Sequence, residues 1–404
     1  MKYTFLHTKL PLRLVSFCLI ASAFLLSCVE EIELSTQNFE SLLVVEANIT
    51  NELKQQEIRL SRTFRFEDRG PSKETNASVI VLTGNDTARN FTEVQPGVYR
   101  SNQSFAAEEG VSYSLQIQTQ DGKNYKSTPV ELEDTAEIES IAAVASQDSF
   151  GNPGVSILVN SKSNSGKGLY YRYEYEETYK IIAPLWKSDD FVTVGGNGCG
   201  VSVAPRTREE RECFKTEKSI DIILGQSIGQ PNGELENLET YFLDANMTKI
   251  AHRYSALLKQ YVISSEVHSY FEKRRNLSSS ENLFSQTQPG FLEGNITSVD
   301  APNEEQVIGI FYVSTVTEKR FFFNWVDLFP DQRPPQIFCR ITSPPLTDMA
   351  GNCILKSQVE ANFIRYWDEN LEPNQGEGPY LVVRRQCGDC TVLGDNVVPE
   401  FWVE

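Results

Sequence analysis

Cys387-Gly388-Asp389-Cys390 spaces two thiols as a reactive dithiol or half of a zinc site would. A reactive C-x-x-C wants its first cysteine at a helix N-terminus, where the dipole stabilises the thiolate. Here Gly394 and Pro399 follow within a few residues, so a structural disulfide is the better reading. Gly225-Gln226-Ser227-Ile228-Gly229 matches the G-x-S-x-G pattern of hydrolase nucleophiles and follows a β-like run over 220–224. A nucleophile elbow needs a helix directly after its serine, whereas Gln230-Pro231-Asn232-Gly233 spells a turn, so Ser227 is read as a loop residue. His252 and His268 sit in neither H-E-x-x-H nor a cysteine–histidine zinc spacing, and no metal or cofactor is expected. His268 and Glu272, four apart, are read as a solvated pair on one helix face. Carboxylates are plentiful, but nothing singles out two for glycoside hydrolysis. No catalytic residue is assigned, and the chain is not read as an enzyme. Tyr171, Tyr173 and Tyr175 line one strand face and form a candidate ligand platform, although aromatic stripes in β proteins are more often core, as are Trp186, Trp325, Trp367 and Trp402.

The elements that would position these residues are mostly strands. Alternation over 42–49, 57–66, 77–82, 89–94, 97–101, 111–119 and 123–132 predicts short strands at sandwich spacing. Asp121-Gly122 and Pro96-Gly97 supply turn chemistry between them. Residues 41–133 are therefore expected to form an immunoglobulin-like β-sandwich, followed over 134–404 by a larger β-rich domain with one or a few helices. Strands are expected there at 155–160, 169–175, 220–224, 307–315, 320–325, 336–341 and 380–384. In the second of these, Arg172, Glu174 and Glu176 oppose the tyrosine face. Val267, Tyr270 and Phe271 fall at helical spacing behind a serine cap and predict a helix over 265–276. The stretch 254–263 could continue that helix or form a strand, and the β-branched Val262 and Ile263 favour the strand.

The N-terminus has a basic start (Lys2, Lys9, Arg13), an apolar run over 14–26, then Ser27 and Cys28. That is the plan of a secretory signal over 1–27, and Leu25-Leu26-Ser27-Cys28 resembles a bacterial lipobox, with Cys28 the lipidated residue. A tether over 28–40 carries Glu30, Glu31 and Glu33. No later run is long enough to cross a bilayer as a helix, so the expected membrane contact is the lipid. Removing Lys2, Lys9 and Arg13 takes the formal charge from -18 to about -21, which argues against nucleic acid as a partner. With Cys18 in the signal and Cys28 acylated, Cys199, Cys213, Cys339, Cys353, Cys387 and Cys390 remain, an even set that reads as disulfides in an exported chain. Nearest-neighbour pairing, Cys199 with Cys213, Cys339 with Cys353 and Cys387 with Cys390, is the simplest expectation.

Several strings together resemble one family, the Bacteroidota lipoproteins called domain of unknown function 4249. They are Leu43-Val44-Val45-Glu46, Gly97-Val98-Tyr99, Gly110 to Leu115, Gly294-Asn295-Ile296 leading into Val307 to Phe311, and the ending. That ending runs Tyr380 to Val383, Cys387-Gly388-Asp389-Cys390-Thr391, Gly394 and Pro399-Glu400-Phe401-Trp402. The resemblance implies an outer-membrane lipoprotein, facing the cell surface or the periplasm, often found beside TonB-dependent transporters; it implies no activity. The expected role is a non-catalytic accessory or ligand-binding subunit of such a transporter, with a structural or adhesive surface protein and an extracellular hydrolase as alternatives. Acidic residues after the lipidated cysteine resemble a surface-export signal. Asp86-Thr87-Ala88 and Asp134-Thr135-Ala136 resemble the pattern at which Bacteroidota attach O-glycans, at Thr87 and Thr135.

Overall fold

A computed structural model describes residues 41–65, 68, 70–84, 87–195, 198–279 and 292–404. The expected signal over 1–27, Cys28 and the expected tether over 28–40 lie outside the described residues. The chain divides into a main unit, Leu42–Thr63 with Pro71–Glu404, and a small one containing Ser41 and Phe64–Gly70. In the small unit the Arg65 amide donates to Asp68 Oδ2 at 3.1 Å.

Period-two burial builds the first strands of the main unit. In β1 (Leu43–Thr50) Leu43, Val45, Ala47 and Ile49 are buried, while Val44, Glu46 and Asn48 take the opposite face. β2 (Glu57–Arg62), β3 (Ser78–Thr83), β4 (Thr87–Gln95), β5 (Val98–Ser101), β6 (Tyr113–Gln118) and β7 (Asn124–Ser127) follow, each where alternation predicts a strand. They pair in the order β1-β2-β5-β4-β3-β6-β7. Their inward residues, among them Ile58, Val79, Tyr99, Leu115 and Tyr125, form one core. Residues from distant strands of one sheet can share a core only if the sheet curls around it.

The rest of the unit adds β8 (Ala136–Gln147), β9 (Pro153–Ser163), β10 (Tyr170–Ile182), β11 (Asp189–Thr193), β12 (Val201–Pro205), β13 (Glu212–Lys218), β14 (Ile223–Gln226), β15 (Glu234–Asp244) and β16 (Arg253–Ile263). Helix α1 (Ser265–Ser279), β17 (Ile296–Ser298), β18 (Val307–Asn324), α2 (Trp325–Leu328), β19 (Ile341–Thr342), α3 (Ile354–Glu360), β20 (Ile364–Glu369), β21 (Tyr380–Arg384) and α4 (Arg385–Gly388) complete it. The mostly β expectation holds. The helix and the strand before it form where spacing and β-branching place them. The strand expected over 336–341 shrinks to two residues, hemmed by Pro334-Pro335 and Pro344-Pro345, which cannot donate to a ladder.

One strand joins the halves. The runs expected at 307–315 and 320–325 are a single strand, β18, whose first part pairs parallel with β1 (Leu43↔Val307 to Thr50↔Ser314) and whose second part pairs antiparallel with β16. β17 likewise pairs with β7. The sheet thus crosses the boundary expected at residue 133 and continues through β16 to β10 and β13. The string Gly294-Asn295-Ile296 passes close over this joint. A Cβ on Gly294 would lie 1.7 Å from the Gly309 carbonyl oxygen, and Gly309 itself holds φ +139 against the Val45 backbone. Asn295 then exchanges hydrogen bonds with Phe311, Nδ2 donating to its carbonyl (2.8 Å) and Oδ1 accepting from its amide (2.9 Å).

A second sheet, β15-β9-β8, packs on β10 and β16. A third, β19-β21-β20, lies with the hairpin β11-β12 in a region held by disulfides.

Candidate functional site

The six cysteines among the described residues are all oxidised, but none pairs with its sequence neighbour. The bridges are Cys199–Cys353, Cys213–Cys390 and Cys339–Cys387, with Cα separations of 5.0, 5.6 and 5.8 Å. Register explains the correction. Ile341 pairs with Val383, which carries Cys339 alongside Cys387, while the Phe214–Asp395 bridge carries Cys213 to Cys390. The two cysteines of Cys387-Gly388-Asp389-Cys390 therefore serve separate staples rather than one dithiol. Between them Asp389 is fully buried, accepting from Arg365 (2.6 Å), Arg385 (2.8 Å) and the Thr391 amide (2.9 Å). Burial alone would raise its pKa, but the hydrogen bonds from Thr391 and Arg385 and the charge of Arg365 outweigh it and hold it at about 2. The C-terminal residues close this region: Trp402 packs edge-on against Phe214 and Phe322, and Arg320 lies over the Phe401 ring.

Ser227 is fully buried, its Oγ accepting from the Leu169 amide at 3.0 Å, and the chain continues from it into the turn Pro231–Gly233. It is a structural residue. The face of Tyr171, Tyr173 and Tyr175 is not a ligand platform: Tyr171 and Tyr173 are wholly buried, and Tyr175 stacks on Tyr241 at 3.9 Å. The sheet β15-β9-β8, of which the sequence pattern placed only β9, covers them. Trp325 and Trp402 are likewise core, and Trp186 and Trp367 are half-buried. Among the described residues no group of three His, Cys, Asp or Glu side chains is placed to hold a metal, and no helix is long and apolar enough to cross a membrane. Thr87 and Thr135 are exposed, and Thr135 Oγ1 accepts from Asn164 Nδ2 at 2.7 Å. Asp86 lies outside the described residues.

The opposite, polar face of β10 lines the candidate site. There a trench of about 330 Å³ has the outer faces of β1 and β2 as its floor (Glu46, Asn48, Glu57, Arg59). Helix α1 (Tyr270, Phe271, Arg274) and the turn 219–222 also line it. A neighbouring hollow of about 530 Å³ shares Asn48, Glu57, Arg172 and Glu174 and extends to Lys54 and Arg100. Arg172 is the wall's fixed charge. Its guanidinium lies 4.5 Å from the Tyr261 ring centre and 5.1 Å from that of Phe271, and Nη1 donates to Glu174 at 2.6 Å. Glu174 also accepts from the Tyr261 hydroxyl at 2.9 Å. Burial would lower the Arg172 pKa, but Tyr312 and Glu174 more than compensate and raise it; burial would raise that of Glu174, and Arg172 lowers it. Both stay charged. Arg172 Nε is buried with no acceptor.

The remaining charges divide sharply. Glu57 is taken by Arg59 (2.8 Å) and Arg100 (3.0 Å). The side chains of Glu46 on the floor, Asp221 in the turn and Arg274 on the helix make no ion pair or hydrogen bond among the described residues. Sequence reasoning did not single these three out. Glu46 was visible as the polar member of a β1 string, and Arg274 lies one helical turn after Tyr270, on the same face. Neither signal marks a site without knowing that α1 stands beside β1.

Comparison with known proteins adds a family and little else. The family described as "Domain of unknown function (DUF4249)" matches residues 29–320, well over half of the sequence, so the chain belongs to it. No curated protein matches. Among solved structures, a DUF4785 family protein from Legionella pneumophila is similar at 9% identity and TM-score 0.19, over 54% of this chain and 52% of that one. The chain thus spans about half the length of that protein. A trypsin-activated alpha-2-macroglobulin from Escherichia coli is similar at 8% identity and TM-score 0.17, over 87% of this chain and 19% of that one.

Proposed function

With family membership as the premise, we propose that this protein is a lipid-anchored, non-catalytic accessory subunit that binds a ligand for a TonB-dependent transporter of the outer membrane. The observation that carries the reading is the trench: fixed side chains of both charge signs, drawn from β1, β2, β10 and α1, facing one open cavity. Such a cavity, preformed and lined by a few convergent polar groups, suits binding. Three disulfides support an oxidising compartment, as export requires. The anchor is Cys28, and a lipid that confines two proteins to one membrane raises their effective concentration, so a modest interface suffices. O-glycans at Thr87 and Thr135 belong to the same surface-exposed reading, and intact-mass measurement of the mature lipoprotein, read for mass beyond the chain and its lipid, tests them.

Detergent extraction and affinity purification of the tagged lipoprotein tests the role. A β-barrel transporter should copurify in near-stoichiometric amount, and Cys28→Ser should release the protein from the membrane. If the protein elutes alone and cleaves a glycan, ester or peptide, with the rate abolished by Ser227→Ala or a carboxylate change, a hydrolase replaces this reading.

A further inference from the structure

We propose that the trench beside Arg172 binds a short peptide with both termini free, its carboxylate against Arg274 and its ammonium against Glu46 and Asp221. The inference rests on the ligand-binding reading above and names the ligand class. It comes from which charges are already satisfied. Glu174 takes up the charge of Arg172, and Glu57 serves Arg59 and Arg100. Among the described residues that leaves one cation, Arg274, and two carboxylates, Glu46 and Asp221, unpaired around one cavity. A simple anion would meet Arg274 but face both carboxylates, and a simple cation the reverse. A zwitterion satisfies both signs, and opposite-charge complementarity of this kind fixes orientation as well as strength.

A neutral sugar fits poorly. Tyr270, Phe271 and Tyr312 line the cavity but are each less than a tenth exposed, packed with one another and with Ile310, so no open ring face remains for stacking. Apolar surface is available instead from Ile220, 95% exposed in the turn, and from Ile222. Between charged ends this suits an aliphatic side chain. The volume of about 330 Å³ is at the small end of ligand cavities and fits a few residues rather than a folded partner. Arg172 Nε, a buried donor without an acceptor, adds unmet hydrogen-bonding capacity at the same wall.

Calorimetric titration of the mature lipoprotein in detergent with Ala-Leu-Ala, its C-terminal amide, its N-acetyl form and maltotriose tests the proposal. Ala-Leu-Ala should bind, more weakly as salt is added. Amidation, or Arg274→Gln, should weaken binding about tenfold, as should N-acetylation, or Glu46→Gln with Asp221→Asn. The pairs should not add: amidation should cost nothing further in Arg274→Gln, nor acetylation in the acidic double variant, a match that misfolding would not produce. No binding of Ala-Leu-Ala at millimolar concentration, equal binding of all three peptide forms, or displacement by maltotriose would overturn it. Copurification of the transporter reads out separately. If the barrel copurifies and the peptide does not bind, only the ligand class is wrong; if the peptide binds and no barrel copurifies, the accessory role is wrong.

Discussion

The sheet β1 to β7 and the segment from Cys339 to Cys390 hold themselves together by different means. The first contains no cysteine and buries one continuous apolar core, with Leu43, Ile49, Ile58, Leu60, Leu115 and Phe311 at most 1% exposed. The second takes part only in small apolar clusters, Leu355, Ile364 and Val382 in one and its Cys390 against Ala183 and Cys213 in another. In place of a core it uses three disulfides and the buried carboxylate Asp389 between Arg365 and Arg385. Met349, Phe363 and Leu371 are left more than two-thirds exposed there. Where too little apolar surface can be buried, covalent and ionic constraints take over.

That contrast can be broken experimentally, most forcefully at the staples. Cys213→Ser with Cys390→Ser opens a loop of 177 residues, and the chain-entropy model puts the loss at about 5 kcal/mol. Hydrogen exchange should rise in β13, β20 and β21 while β1 and β2 stay protected. Equal loss of protection throughout would show that the two regions unfold as one. On the other side, Phe311→Ala empties the centre of the N-terminal core and should cost about 3–5 kcal/mol by denaturant melting, with the disulfides intact.

A smaller effect comes from pH. Asp389 has its folded pKa depressed from 3.8 to about 2, so its contribution is fully present above the unfolded value and is lost as pH falls from about 4 through 2. Asp389→Asn should therefore remove on the order of 2–3 kcal/mol at neutral pH and flatten the acid limb of the stability curve in that window. An unchanged acid limb would mean that the buried ion pairs contribute nothing net. The smallest expected change is Tyr99→Phe in the N-terminal sheet. The Tyr99 hydroxyl donates to the Glu74 carbonyl and accepts from the Ala77 amide, so its loss should cost about 1–2 kcal/mol at any pH below the tyrosine range.

Much of the candidate site was half-legible. The alternation Tyr171, Arg172, Tyr173, Glu174 sorts a strand into an apolar and a polar face, but it does not say which face meets a second sheet. The tyrosines drew attention as a platform and are core; the polar face lines the cavity. Ser227 shows the reverse. Its surroundings in sequence already spoke against an elbow, and burial against Leu169 agrees with them.

Local structure was readable from the residues alone. Side-chain alternation with period two placed β1 to β7, helical spacing behind a serine placed α1, and an even number of cysteines in a chain expected to be exported called for disulfides. These depend only on neighbours a few residues apart. Register between distant segments was settled only in three dimensions. The folded chain makes β18 the parallel neighbour of β1 across more than 250 residues, joins Cys199 to Cys353 rather than to Cys213, and sets α1 beside β1 so that Arg274 and Glu46 face one cavity. The physical reason is that pairing between strands and between cysteines is a property of Cα positions in space. Sequence separation constrains those positions only weakly once a loop is long.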